Sequence, residues 1–373
     1  MSGASAGEGG LDAGEAGTAG DAGDASSPED AASDGGAVRT GPFAIEALPF
    51  PLELGEPIEA PNKQWSFVSF PESRCANGTP TGIAINPIAD AAGLLVFMQG
   101  GGACWDATSC LVTRSSAHLV DTVNDAVVLG EAANLPGLFD HDNLANPFAD
   151  FAYVYMPYCT GDIHTGTNAK SYDGPTGAET IHHHGALNVE AYLKRLVPTF
   201  PEIERVVVSG VSAGGYGATF NWWRYQGAFP YARVDVLDDA GLIVDAPDDR
   251  WSVMVDSWQM VLPPGCSECA ARMSAFLPFY GEHMVAPRRY GLAGFLGDAT
   301  IATVFGLTSE QVSSQMLALR ASAAANQKTF FLAGMQHSVI GEGAFTIASD
   351  GMSLVPWIVQ LANDDPAWTH AGP

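Results

Sequence analysis

Residues 205–220, RVVVSGVSAGGYGATF, constrain this chain more than any other stretch, because they prescribe a buried strand, an abrupt turn and a helix in immediate succession. Val206, Val207 and Val208 form a short β-branched run of strand length, with turn residues directly behind it. Gly210-Val211-Ser212-Ala213-Gly214 then supplies G-x-S-x-G, and residues 213–225 read as a helix. Small residues on both sides of Ser212 let the backbone turn sharply enough to lift its hydroxyl over the sheet edge. A serine hydroxyl is a weak nucleophile, so it needs a base for its proton and main-chain donors for the oxyanion it creates. The N–H of Ala213 is the expected first donor. A plain strand-to-helix connection would use the same residue types, so partners elsewhere in the chain must decide between the two.

Upstream, residues 65–70 and 82–86 read as early strands, and residues 94–98, LLVFM, as a central strand covered on both faces. That strand runs into Gln99-Gly100-Gly101-Gly102-Ala103-Cys104-Trp105, a loop whose backbone can approach a ligand closely. The N–H groups of Gly101 and Gly102 are the expected remaining oxyanion donors; a flexible turn pinned at Cys104 is the plainer alternative. Residues 106–146 form a long connection expected to cover the site rather than the core. Residues 151–156 make another buried strand and deliver residues 157–164 to the same edge. A helix over 184–196, with Leu187, Ala191, Leu193 and Leu196 available to face the sheet, leads into the Val206 run. Strand, helix, strand is the unit of a parallel sheet.

Downstream, residues 234–237 form the next strand and end in Asp238-Asp239, and residues 290–296 form a small-residue strand followed by Asp298. The strand at 329–333 ends in Gly334-Met335-Gln336-His337, which puts an imidazole on the edge that carries Ser212. With chain order serine, acid, histidine, Asp298 is the expected orienting acid and Asp239 a structural carboxylate or the fallback acid. Residues 308–311, TSEQ, fit a capping box, and Val312, Met316, Leu319 and Ala323 give the following helix one apolar stripe. The apolar insertion Trp251, Met254, Val255, Trp258, Met260, Val261 and Leu262 either packs in the core or lines an acyl pocket. His182, His183 and His184 invite a metal reading, but successive helical side chains point about 100° apart and would not converge on one ion. A helix start with one or two of these rings hydrogen-bonded near the site is expected instead.

Composition bounds the rest. Residues 1–43 are rich in Gly, Ala, Ser, Asp and Glu, a mixture that buries too little apolar surface to offset its ordering entropy, so a disordered acidic linker is expected there. Residues 44–373 are expected to form a single catalytic domain. A formal charge of −26 with only four lysines makes nucleic acid and anionic membrane poor partners. No apolar run is long enough to span a bilayer. The six cysteines favour disulfides and an extracellular, periplasmic or cell-surface setting, with no export signal in the sequence itself; the expected pairs are Cys75 with Cys159, Cys104 with Cys110 and Cys266 with Cys269. Six reduced thiols, or zinc at Cys266 and Cys269, are the alternatives. A monomer is expected.

The stretches 95–105 (LVFMQGGGACW), 146–166 (NPFADFAYVYMPYCTGDIHTG) and 209–218 (SGVSAGGYGA), with strand ends at Asp298 and His337, together resemble the pectin acetylesterase family, which also contains the Notum-type carboxylesterases. The resemblance implies an α/β-hydrolase-like fold, a mostly parallel sheet flanked by helices with loop insertions over the site, a Ser212–His337–Asp298 triad and no metal or other cofactor. It implies a serine esterase removing small acyl groups, above all acetyl, from a carbohydrate such as pectin. A carboxylesterase for lipid-like or polyester substrates and a carbohydrate-binding protein on a degenerate scaffold are the competing expectations. Two features depart from the family pattern: Gly102-Ala103 stand where a bulky aromatic is usual, which widens the site, and the strong negative charge opposes a polyanionic substrate.

Overall fold

A computed structural model describes residues 36–340 and 344–373. Most of the linker expected over 1–43 therefore lies outside the described residues. Its last residues lie against the domain, with Val38 bridged to Pro51 and Phe43 N–H donating to Pro230 O at 2.8 Å.

Among the described residues the core is an eight-stranded sheet. In chain order its strands are β1 (Ser66–Phe70), β2 (Thr81–Asn86), β3 (Gly93–Met98), β4 (Phe151–Met156), β7 (Arg205–Val211), β8 (Arg233–Asp239), β9 (Tyr290–Phe295) and β10 (Gln327–Leu332). β5 (Asn168–Gly174) and β6 (Gly177–His183) form a separate antiparallel hairpin. The spatial order is β1-β2-β4-β3-β7-β8-β9-β10; β1–β2 and β2–β4 are antiparallel and every other pairing is parallel. This is the α/β-hydrolase-like fold.

The continuous apolar runs follow from burial on both faces. Along β3, Leu94, Val96 and Met98 enter one core while Leu95 and Phe97 enter the other. β7 repeats the split, with Val206 and Val208 opposite Val207, because strand side chains alternate with a period of two. Helices cover both sides. α2 (Gly185–Thr199) and α3 (Ala213–Ala228) share the first core with α4 (Arg250–Trp258) and α5 (Phe276–His283), whereas α1 (Asp125–Ala132) and α8 (Leu354–Ala362) close the second. α3 lies buried through almost its whole length, so even its Arg224 must pair inside, on Asn221 Oδ1 and Val261 O at 3.0 Å each.

Several expectations need correction. The connection over 106–146 contains α1, and Val128, Ala132, Leu138 and Phe139 belong to the second core, so it packs against the sheet instead of merely roofing the site. Leu187 is exposed on the outer face of α2. His182 and His183 close strand β6, and the helix begins one residue after His184. Their alternation with Glu179 and Ile181 on a polar hairpin, not a helical period, governs where those rings point.

Candidate active site

Strand order reverses direction between β3 and β7, since β4 follows on one side and β8 on the other. Ligands of open α/β sheets bind at such a switch, beyond the carboxyl ends of the strands. Both motifs found in the sequence emerge there. At the end of β7, Ser212 adopts φ 57°, ψ −119°, a conformation costly for a residue with a Cβ and one that neighbours must enforce. Its N–H donates to Asp239 O at 2.7 Å, and its carbonyl accepts from Tyr216 N–H as α3 starts. The elbow is tight enough that a Cβ on Gly214 would lie 1.8 Å from Met98 O at the end of β3, so only glycine fits.

The loop after β3 lies alongside. A Cβ on Gly100 would approach Ser212 Cβ to 3.2 Å, and Gly102 holds φ +77° with Ser115 O only 2.1 Å from where its Cβ would be. Side chains brace this loop from behind. Gln99 Oε1 accepts from Tyr158 N–H (2.7 Å), its Nε2 donates to Glu131 Oε1 (2.9 Å), and His164 Nε2 lies 2.9 Å from Gln99 O. Burial pushes the His164 imidazole down to about 4, so at neutral pH the ring is uncharged and donates through Nε2. Cys104 N–H donates to Gly161 O at 2.8 Å, and the Cys104–Cys110 disulfide closes the loop. Cys75–Cys159 and Cys266–Cys269 are the other two disulfides, in the pairs expected from the sequence.

His337 follows β10, with Nδ1 2.7 Å from Asp298 Oδ2. Asp298 is fully buried after β9 and its other oxygen accepts from Thr300 and Ile301 N–H at 2.9 and 3.0 Å, capping α6 (Ala299–Phe305). One carboxylate thus caps a helix and orients an imidazole. The fallback acid, Asp239, instead accepts from Val339 N–H (2.8 Å) and Ile340 N–H (2.7 Å). Burial raises both Asp238 and Asp239 to about 7; Asp238 is satisfied by Thr219 Oγ1, Gly241 N–H and Tyr290 OH.

Ser212, His337, Gly101, Gly102 and Ala213 all line one cavity of about 390 Å3. Most of its remaining wall is apolar, including Ile163, Met254, Trp258, Ile301, Val304 and Phe305, with Gln99, Thr300 and Ser338 as polar members. Among the described residues, no carboxylate, ammonium or guanidinium lines it. Met254 and Trp258 come from the apolar insertion, which divides its residues between pocket and core. The contribution of α6 had no forecast, although Ile301, Val304 and Phe305 stand at helical spacing directly after Asp298. Nor had the bracing roles of Gln99 and His164.

The metal question has a structural answer at one place. Cys104, Cys110 and His183 cluster closely, yet the two sulfurs are bonded to each other and both His183 ring nitrogens are engaged, on Thr160 O and Tyr172 OH at 3.0 Å each.

Residues 64–270 match the pectinacetylesterase family model, more than half of the chain. The chain belongs to the pectinacetylesterase family. The chain is similar to palmitoleoyl-protein carboxylesterase notum2 of Xenopus laevis, 22% identical over 233 residues, covering 56% of this chain and 46% of that protein. Palmitoleoyl-protein carboxylesterase NOTUM of Schmidtea mediterranea is 27% identical over 160 residues (41% and 29%). Pectin acetylesterase 11 of Arabidopsis thaliana is 22% identical over 200 residues (51% and 49%). The chain thus spans about half the length, or less, of these relatives.

Proposed function

We propose that the chain is a serine carboxylic-ester hydrolase working through Ser212, His337 and Asp298. The observation that carries this reading is the Asp298–His337 hydrogen bond, 2.7 Å long, behind an imidazole that shares a cavity with the strained Ser212. In the mechanism, Ser212 Oγ attacks the ester carbonyl carbon while its proton passes to His337 Nε2. Asp298 holds Nδ1–H and stabilises the imidazolium. The N–H groups of Gly101, Gly102 and Ala213 receive the oxyanion. His337 returns the proton to the departing alkoxide as the carbon–oxygen bond breaks, leaving an acyl-serine. Water then repeats the sequence and releases the carboxylic acid.

The cavity favours an uncharged acyl group larger than acetyl. About 390 Å3 of apolar space falls within the usual range for small-molecule pockets, roughly 300–1,000 Å3, and two carbons would leave most of it unfilled. The second reading is deacetylation of a carbohydrate, supported by relatives named pectin acetylesterases. Hydrolysis of p-nitrophenyl esters from acetate to dodecanoate separates them: a rise in kcat/KM to six or more carbons (an order-of-magnitude expectation, ~6) supports the larger acyl group, and a maximum at acetate supports the second. Ser212→Ala with parental activity would overturn both. Three disulfides suit an extracellular or periplasmic setting. Among the described residues, no helix is long and apolar enough to cross a membrane.

A further inference from the structure

We infer that Asp239 is a positioning residue that sets the spacing of Ser212 and His337 by holding both of their loops at once. The inference rests on the serine-esterase reading above. Asp239 is the last residue of β8, in register with Val211 at the end of β7, so its main chain ends directly beside the elbow. Its carbonyl oxygen accepts from Ser212 N–H at 2.7 Å. Its carboxylate, on the same residue, accepts from Val339 N–H at 2.8 and 3.1 Å and from Ile340 N–H at 2.7 Å. Only Ser338 separates Val339 from His337, so the chain carrying the imidazole is fixed to the residue that fixes the nucleophile.

Among the described residues, no other hydrogen-bonding residue joins these two loops. Asp298 holds the ring of His337 but lies one strand further along the sheet, and it makes no bond to the elbow. Without Asp239 the imidazole would keep its partner and lose its reference to Ser212. The carboxyl is 1% exposed, and its ionised form is disfavoured by burial, which pushes it up to about 7; the donors of Ile340 and Val339 and the nearby His337 counter that push. A buried carboxylate aimed at main-chain donors of an irregular loop costs stability wherever its only effect is to desolvate a charge. Here the donors belong to the segment next to His337, and their alignment is what the carboxylate provides. Val339 and Ile340 side chains are themselves in the second core, so the loop keeps some anchoring when the carboxylate is changed.

The test compares Asp239→Asn with Asp238→Asn, a neighbouring, equally buried carboxylate that is hydrogen-bonded to Thr219, Gly241 and Tyr290 rather than to the elbow or the His337 loop. kcat and KM for p-nitrophenyl butyrate are measured per active site titrated with a fluorophosphonate, together with the labelling rate and Tm. An amide at 239 turns one acceptor into a donor facing N–H groups. The expected result is a kcat and labelling rate lowered about 10- to 100-fold with KM within about threefold, while Asp238→Asn loses Tm but keeps kcat within about threefold. A kcat per titrated site near parental for Asp239→Asn overturns the inference, as does an equal kcat loss in both variants. Where Asp239→Asn does not fold, hydrogen–deuterium exchange of the 338–340 amides in the parent protein decides: protection supports the clamp, and exchange as fast as the exposed 334–336 segment overturns it. Ser212→Ala assayed beside them keeps the serine reading separate, since parental activity there would sink that reading whatever Asp239 does.

Discussion

The two banks of the site differ in what holds them: disulfides and neutral rings feature in only one of them. The glycine-loop bank, at the ends of β3 and β4, is held by two disulfides, by buried histidines kept neutral (His164 on Gln99 O and His183 on Thr160 O) and by the buried Asp162 carboxylate on the N–H groups of His164, Gly166 and Gly185. The acid–base bank, at the ends of β8, β9 and β10, has no disulfide of its own and is held by buried carboxylates on main-chain N–H groups. Under the proposed mechanism the first bank has to keep a set of donors fixed as the oxyanion forms, and its covalent links serve that rigidity. Under the same mechanism the second has to stabilise a transient imidazolium, for which a fixed negative charge is the useful neighbour.

The largest effect that would break this contrast is expected at the acid. Asp298→Asn should lower kcat about 10⁴-fold with little change in KM, measured by steady-state p-nitrophenyl ester hydrolysis; a loss no greater than tenfold would move the orienting role elsewhere. On the other bank, Gly102→Ala meets Ser115 O and a positive φ, and should cost about 10²- to 10³-fold in kcat by displacing the loop. Retained turnover in that variant would show that the donors lie outside this loop.

Reductant should divide the banks. Opening Cys75–Cys159, which closes a separation of 84 residues, should cost about 4 kcal/mol of stability. The Cys75→Ser/Cys159→Ser protein, followed by urea unfolding, checks this, and an unchanged midpoint would deny the disulfide its role.

The buried histidines of one bank and the buried aspartates at the end of β8 should respond to pH with opposite sign. His164 and His183 fall from 6.5 to about 4 on folding through burial, so their contribution is present above pH 6.5 and is lost as pH drops through 4. Asp238 and Asp239 rise from 3.8 to about 7 through burial, so their contribution is full below pH 4 and is lost as pH rises through 7. Relative to parent, Asp238→Asn should therefore gain stability as pH rises from 4 to 7 and His183→Gln should lose it over 4 to 6.5, by up to about 3 kcal/mol each. Parallel pH curves for the two variants would erase the distinction.

The smallest effect lies outside both banks. Thr308 Oγ1 accepts from Gln311 N–H while Gln311 Oε1 accepts from Thr308 N–H, the expected capping box at the start of α7 (Ser309–Ser322). Thr308→Ala should cost about 1 kcal/mol in thermal unfolding and leave kcat unchanged.

Much of this was legible because it is written locally. Buried strands announce themselves as apolar runs, the elbow as glycines around a serine, and the capping box as residues three apart. The β5–β6 hairpin escaped because its alternation is polar and its burial one-sided, with Tyr172 and Ile181 nearly alone facing inward. α6 escaped because seven residues are too short for a periodic signal, even with Asp298 capping it.

By itself the sequence determined the fold class, the cysteines available to pair and the residue types at each strand end, since these depend on neighbours along the chain. Only the tertiary structure decided which of two aspartates meets His337, and that Asp239 reaches both loops. It also decided that α4 and α6, separated by about forty residues, share the wall of one cavity. Those contacts are set by the lateral order and register of parallel strands, and strands of similar composition carry no local mark of which neighbour they will take.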